Sequence, residues 1–237
     1  MAGTGYDARE RTWPRPDLLV SLAAIVVAVA LSIGLSSIGR RVLDTASTAA
    51  LSYLFYWIPL LAAAAIVRAR RWDGAHPIAW RLTPLDVLWG LGVGLLLRAA
   101  AASFEFVIRG TVVAPTISTT GSTTAETLSF IAITVVAPLL LAPVVEELFF
   151  RGTLLTSLRP PGRGIGMTAV AVVLSAAIFA LPHVVGASSL GNGLVAFAGA
   201  AVLGLGSGAL AVATQRVGAS IVAHVTFNAA LLLLLVV

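Results

Sequence analysis

An all-α, polytopic transmembrane helical bundle of about seven spanning helices is the fold class this sequence predicts, on three observations. Apolar residues make up 59% of the chain and charged residues only 11%, against roughly 25% charged in a soluble domain. Apolar stretches recur, each near the ~20 residues that a helix needs to cross a ~30 Å hydrocarbon core. The arginines fall mainly in the short segments between those stretches, and mostly on alternate sides of them.

Taken in order, Met1 to Asp17 is polar, carries Arg9, Arg11 and Arg15, and reads as a cytoplasmic N-terminal tail. Leu18–Ser37 is too long for the core of a signal peptide and suits a retained spanning helix. Ala49–Val67 and Leu85–Ile108 are the second and third spans. Thr111 to Glu126 is rich in Ser and Thr, holds Pro115 and Gly121, and is expected to be an external loop. Four more spans follow at Leu128–Arg151, Met167–Val185, Gly193–Thr214 and Gly218–Val237. The chain thus divides into a tail (1–17), a three-helix membrane region with its loop (18–127), and a membrane core (128–237) that holds the suggestive chemistry.

With the N-terminus inside, the inner segments hold Arg9, Arg11, Arg15, Arg68, Arg70, Arg71, Arg81, Arg151, Arg159, Arg163 and Arg216, and the outer ones Arg40, Arg41 and Arg109. Positive charge retained on the cytoplasmic side explains this asymmetry, and the net charge of +5 with it. No nucleic-acid partner is expected; the surroundings are membrane lipids. Trp13, Trp72, Trp80 and Trp89 cluster near the inner boundary, as an interfacial belt does. The chain has no cysteine, which excludes disulfides, thiolate ligands and a cysteine nucleophile. Neither a Gly-rich phosphate loop nor G-x-S-x-G nor H-E-x-x-H is present. Ala200, Gly204 and Gly208 form a small-xxx-small row suited to close helix packing, more readily within one bundle than between two copies.

Charge inside the apolar stretches carries the functional reading, because an ionisable group in hydrocarbon is costly. Glu146 and Glu147 are adjacent and point ~100° apart on a helix. Glu147 and Arg151 are four apart, acid first, so they share a face and can pair. Glu146 is then left to face a cavity as a general base. Pro138 and Pro143 are expected to kink this long helix. His183 lies ~24 Å along its helix and Glu146 ~18 Å from the inner end of its own, comparable depths. Phe179 sits one turn before His183 and can pack on its ring. His224 and Asn228 are i,i+4 and line one face of the last helix. They can serve as interhelical hydrogen bonds or as donors aimed at a developing oxyanion. Arg98 and Glu105, seven apart, suit structural pairing. His76, before Pro77, reads as a solvated loop residue.

Glu146-Glu147-x-x-x-Arg151, Phe179-x-x-x-His183 and His224-x-x-x-Asn228 occur in that order, each on its own helix. This pattern resembles the CPBP family, the CAAX-prenyl-protease and bacteriocin-processing proteins, also called the Abi family, over about Leu128 to Val237. The resemblance implies a polytopic intramembrane endopeptidase of a bacterial plasma membrane. It implies that Glu146 activates a water with His183 as partner, that His224 and Asn228 stabilise the oxyanion, and that Glu147, Arg151 and Phe179 support them. A metal-free glutamate mechanism needs no cofactor. Zinc held by Glu146, His183 and His224 is the alternative. The expected substrate is a membrane-associated or lipid-tethered peptide or protein, cut near the cytoplasmic side from a cavity open to the inner face. Substrate identity, prenylation and oligomeric state stay open. A non-catalytic immunity or scaffold protein of the same family is the rival reading. A proton-coupled transporter ranks below it, because the repeated halves of such a fold are not seen.

Overall fold

A computed structural model describes residues 16–70, 78–113, 128–129, 131–159 and 164–233. The N-terminal tail up to residue 15, His76, and most of the Ser/Thr-rich segment after Thr111 lie outside the described residues. Among the described residues seven helices make up the bundle and there is no β-strand, only an isolated bridge between Ala79 and Arg216.

Helix α1 spans Pro16–Val42 and opens on a proline, whose fixed φ and missing N–H suit a first helical turn. A tight turn at Leu43 and Asp44 leads into α2, Thr45–Arg70. The Asp44 carboxylate accepts from the Ser47 backbone N–H (2.9 Å) and hydroxyl (2.7 Å), capping α2. Helix α3, Pro84–Arg109, is started by a reciprocal cap in which Asp86 Oδ2 accepts from Thr83 N at 2.7 Å and Thr83 Oγ1 at 2.9 Å. It stops at Gly110, whose φ of 73° is the left-handed conformation of a helix end.

Helix α4 is the unusual one. After α-helical residues at 128, 129 and 131 it is π-helical over Ala132–Leu141, turns α-helical over Ala142–Phe149, widens again at Phe150–Leu155 and ends with an α turn at Thr156–Leu158. Pro138 and Pro143 each remove a backbone donor that an α-ladder requires, and π segments concentrate where a helix has been re-registered for function. Helix α5 covers Ile165–Ala180 and gives way to a 3-10 turn, Leu181–Val184, at Pro182. Helix α6 (Leu190–Thr214) and helix α7 (Gly218–Leu233) complete the set.

Among the described residues five helices (α1, α2, α3, α5 with its 3-10 turn, and α6) are long and apolar enough to cross a membrane. The π segments interrupt α4, and α7 is a shorter apolar helix. Large apolar side chains such as Val26, Leu88, Leu96 and Val107 are exposed around the outside. Such a belt would be a liability in water and is the normal surface in lipid.

Packing puts α4 in the middle, where it touches α1, α2, α5, α6 and α7; α1 pairs with α2, α3 with α6 and α7, and α5 with α6. Close approach relies on small residues. The row on α6 meets α5 of the same chain: a Cβ on Gly204 would come within 3.0 Å of Ala176, and one on Gly208 within 3.0 Å of Val172. On α3, Gly90 and Gly94 play the same part against α7, where a Cβ on Gly94 would lie 2.6 Å from the Ala223 carbonyl. One end of the bundle is tied polar to polar. There Arg216 Nη2 donates to the fully buried Asp86 at 2.9 Å, Ala79 N donates to Gln215 O, and Val217 N donates to Ala79 O.

Candidate active site

The α-turn of α4 between the two π segments carries Glu146 and Glu147, which face different surroundings. Glu147 is sealed inside. Its Oε2 lies 3.0 Å from Arg151 Nε, with side-chain exposures of 0% and 1%. The two meet as opposite charges without aligned hydrogen-bond geometry, and neither Nη of Arg151 has a hydrogen-bond partner. The guanidinium lies instead over the Phe179 ring, 4.7 Å from its centroid, where the ring quadrupole attracts a cation. The expected Glu147–Arg151 pairing is therefore present, and Phe179 is its third member.

The second oxygen of Glu147, Oε1, is 3.0 Å from His224 Nδ1. A carboxylate paired with a guanidinium accepts, so the imidazole donates from Nδ1. That leaves Nε2 as the edge turned towards Glu146, 3.9 Å from its Oε2. The pairing of His224 with Glu147 crosses 77 residues and has no signature in local spacing.

His183 lies in the 3-10 turn, not within a helix as expected, because Pro182 cannot continue the α-ladder. Its Nδ1 is 2.9 Å from the Phe179 carbonyl. A carbonyl only accepts, so His183 too donates from Nδ1 and keeps Nε2 unengaged. No hydrogen bond joins it to Glu146; its fixed partner is its own helix. Phe179 stands between the two imidazoles, with ring centroids 4.8 Å from His183 and 5.9 Å, edge to face, from His224. Asn228, one turn after His224, donates from Nδ2 to the Pro138 carbonyl at 2.9 Å. This bond fastens α7 to the first π segment of α4 and leaves one amide N–H of Asn228.

A cavity of about 960 Å3 reaches down to Glu146, within the size range of ligand pockets. Its wall includes Glu146 and His183 but neither His224 nor Asn228. The four polar residues are therefore not all on one hollow: two face the cavity, His224 backs the Glu146 carboxylate, and Asn228 holds a carbonyl. Much of the remaining wall comes from α1 and α2, including Ser32, Ser36, Ser52, Tyr53 and Tyr56. The chemistry expected in the C-terminal helices is thus walled in part by polar residues of the N-terminal pair. Their signal was polar residues at helical spacing inside apolar spans, as in Ser32-x-x-x-Ser36.

The direction of the cavity also differs from expectation. Its far lining is Leu43 and Thr45 at the α1–α2 turn, with Val185 and Gly186 after α5. Those residues belong to the end of the bundle opposite Pro16, Arg70 and Arg159, so the opening is not at the arginine-rich end.

Zinc would need Glu146, His183 and His224 to converge on one ion. Among the described residues no three His, Asp or Glu side chains form a group able to hold a metal. With Glu147 claiming Nδ1 of His224 and the nearest His224–Glu146 contact at 3.9 Å, the three donors do not fit a closed first shell as they stand.

A polytopic helical membrane protein with a buried acid–imidazole cluster beside a cavity is the class that fold and site define. Residues 127–230 match the family model described as type II CAAX prenyl endopeptidase Rce1-like. The similarity read from the three motifs thus extends across the whole C-terminal region that holds them, and it is similarity to a family of membrane proteases. No curated protein and no solved structure matches the chain.

Proposed function

We propose that this protein is an intramembrane endopeptidase that cuts a membrane-associated or lipid-tethered peptide by glutamate-activated water. The observation that carries the reading is the division of labour between two adjacent acids. Glu147 is neutralised by Arg151 and occupied by His224, whereas Glu146 lines a cavity large enough for a peptide segment. In this reaction Glu146 takes a proton from the attacking water, the water oxygen bonds to the scissile carbonyl carbon, and the C–N bond breaks as that proton passes to the leaving amine. His183, with Nε2 unengaged on the cavity wall, orients the water. His224 turns its Nε2 edge towards the Glu146 carboxylate, close to where negative charge develops on the carbonyl oxygen. Asn228 holds α7 and α4 in register through Pro138 and has one N–H left to offer.

The test is Glu146→Gln in a cleavage assay with a membrane-tethered reporter peptide. General-base removal should lower the rate by about 10²–10⁴-fold, with the melting temperature in detergent unchanged. A Glu146→Gln variant that cuts at the wild-type rate would overturn the assignment, and retained cellular function without cleavage would favour an immunity or scaffold role.

A further inference from the structure

Taking the hydrolytic reading above as given, we infer that the polypeptide cut at Glu146 enters from the non-cytoplasmic face of the membrane. The cavity is continuous from Glu146 to the α1–α2 turn and the residues after α5. Glu146 is the fifteenth residue of α4 counted from Ala132, so it lies well inside the bundle from that end. In the other direction the bundle is plugged. Phe149, Phe150, Leu154 and Leu155 on α4 and Phe179 and Ala180 on α5 are all fully buried between Glu146 and the opposite end.

Charge assigns the two ends to the two sides. Among the described residues the plugged end carries Arg68, Arg70, Arg81, Arg159 and Arg216, and the open end Arg40, Arg41 and Arg109. Short loops rich in arginine remain cytoplasmic. At the open end Arg109 is bound by Glu105 at 2.8 Å and by Asn192 at 2.6 Å, and Asp44 adds a negative charge to the sequence of the turn. The mouth itself is uncharged and hydroxyl-bearing, with Ser36, Ser37, Thr45 and Ser52. It suits a neutral, extended segment of a translocated chain better than a basic cytoplasmic one.

The absence of native cysteine makes the test clean. Single variants Ser37→Cys and Thr45→Cys at the mouth, and Leu82→Cys at the plugged end, are expressed in cells as the full chain. They are then treated with a membrane-impermeant maleimide before or after permeabilisation; all three parent residues are exposed. Ser37→Cys and Thr45→Cys should react in intact cells, and Leu82→Cys only after permeabilisation. Reaction of Leu82→Cys in intact cells, or of neither mouth variant, overturns the inference. Two mouth positions on different helices guard against one misfolded variant. Labelling reads access and is indifferent to hydrolysis, so its outcome is separable from that of Glu146→Gln.

Discussion

His224 Nδ1 lies 3.0 Å from Glu147 Oε1, and the same carboxylate meets Arg151 through its other oxygen at 3.0 Å. Glu147 is thus a hinge of charge between a buried cation and an imidazole. It fixes which nitrogen of His224 carries a proton and which edge faces Glu146. A buried pair of this kind is weak evidence for stability in itself, but removing one partner is severe.

Glu147→Ala should therefore cost about 3–5 kcal/mol, because it strands the Arg151 guanidinium in the interior. The double change Glu147→Leu with Arg151→Leu should recover most of that loss, since an apolar pair of similar volume is close to neutral. It should not recover cleavage, because His224 has lost the acceptor that orients it. Melting temperature in detergent and reporter cleavage are the two readouts. A double variant that cuts normally would reduce Glu147 to a structural role.

Helix spacing at α3 and α7 offers a second test. Gly94→Ala would drive a Cβ to 2.6 Å from the Ala223 carbonyl, and overpacking of this sort costs about 1–3 kcal/mol. His224 is the next residue along, so cleavage should fall with stability. Gly92, two positions earlier, has nothing within 4 Å of an added Cβ. Gly92→Ala should be neutral or stabilising by about 0.5–1 kcal/mol, the usual helix-interior difference. Equal effects from the two changes would argue against tight α3–α7 contact.

The contrast between these features shows what the chain makes readable. Spanning helices are legible because hydrocarbon demands ~20 apolar residues each time. Glu147–Arg151 is legible because four residues close one helical turn. The His224–Glu147 bond and the Asn228–Pro138 bond span 77 and 90 residues and depend on which helices become neighbours, which periodicity does not encode. The cavity walls from α1 and α2 were hidden for the same reason: Ser52 and Tyr56 matter only once α2 lies against α4. The break at Pro182 was written in the sequence, yet its consequence, an Nδ1 bond from His183 back to Phe179, needed the backbone. The direction of the cavity followed from the arrangement of α1, α2 and α5 around Glu146, and not from charge.

A pH dependence is expected at the α1–α2 turn. Asp44 is held below the ordinary aspartate value of 3.8, first by the Ser47 hydroxyl and then by the Ser47 N–H, both of which favour the ionised carboxylate. A lowered folded-state value means that the cap contributes fully above the unfolded value and is lost as pH falls through the folded one. Asp44→Asn retains an acceptor but does not titrate. The difference in melting temperature between wild type and Asp44→Asn should be constant from pH 7 down to about 5 and should shrink only below the ordinary aspartate value. A difference that changes instead between pH 5 and 7 would mean that another group controls the turn.

Asn228 separates two accounts of the last helix. If its main task is the 2.9 Å bond to the Pro138 carbonyl, Asn228→Ala forfeits about 0.5–1.5 kcal/mol of net hydrogen bonding. It also loosens the π segment that leads to Glu146. An oxyanion donor, in contrast, contributes about 10²–10³ in kcat when removed, with little change in substrate binding. The amide sits off the cavity wall while Glu146 lines it, so the structural task should dominate. Asn228→Ala is expected to lower the melting temperature and to reduce kcat by less than about 10²-fold, the lower bound for a lost oxyanion donor. A fall of 10³ in kcat at an unchanged melting temperature would instead assign its remaining N–H to the oxyanion, and would require the substrate carbonyl to reach past Glu146 towards His224.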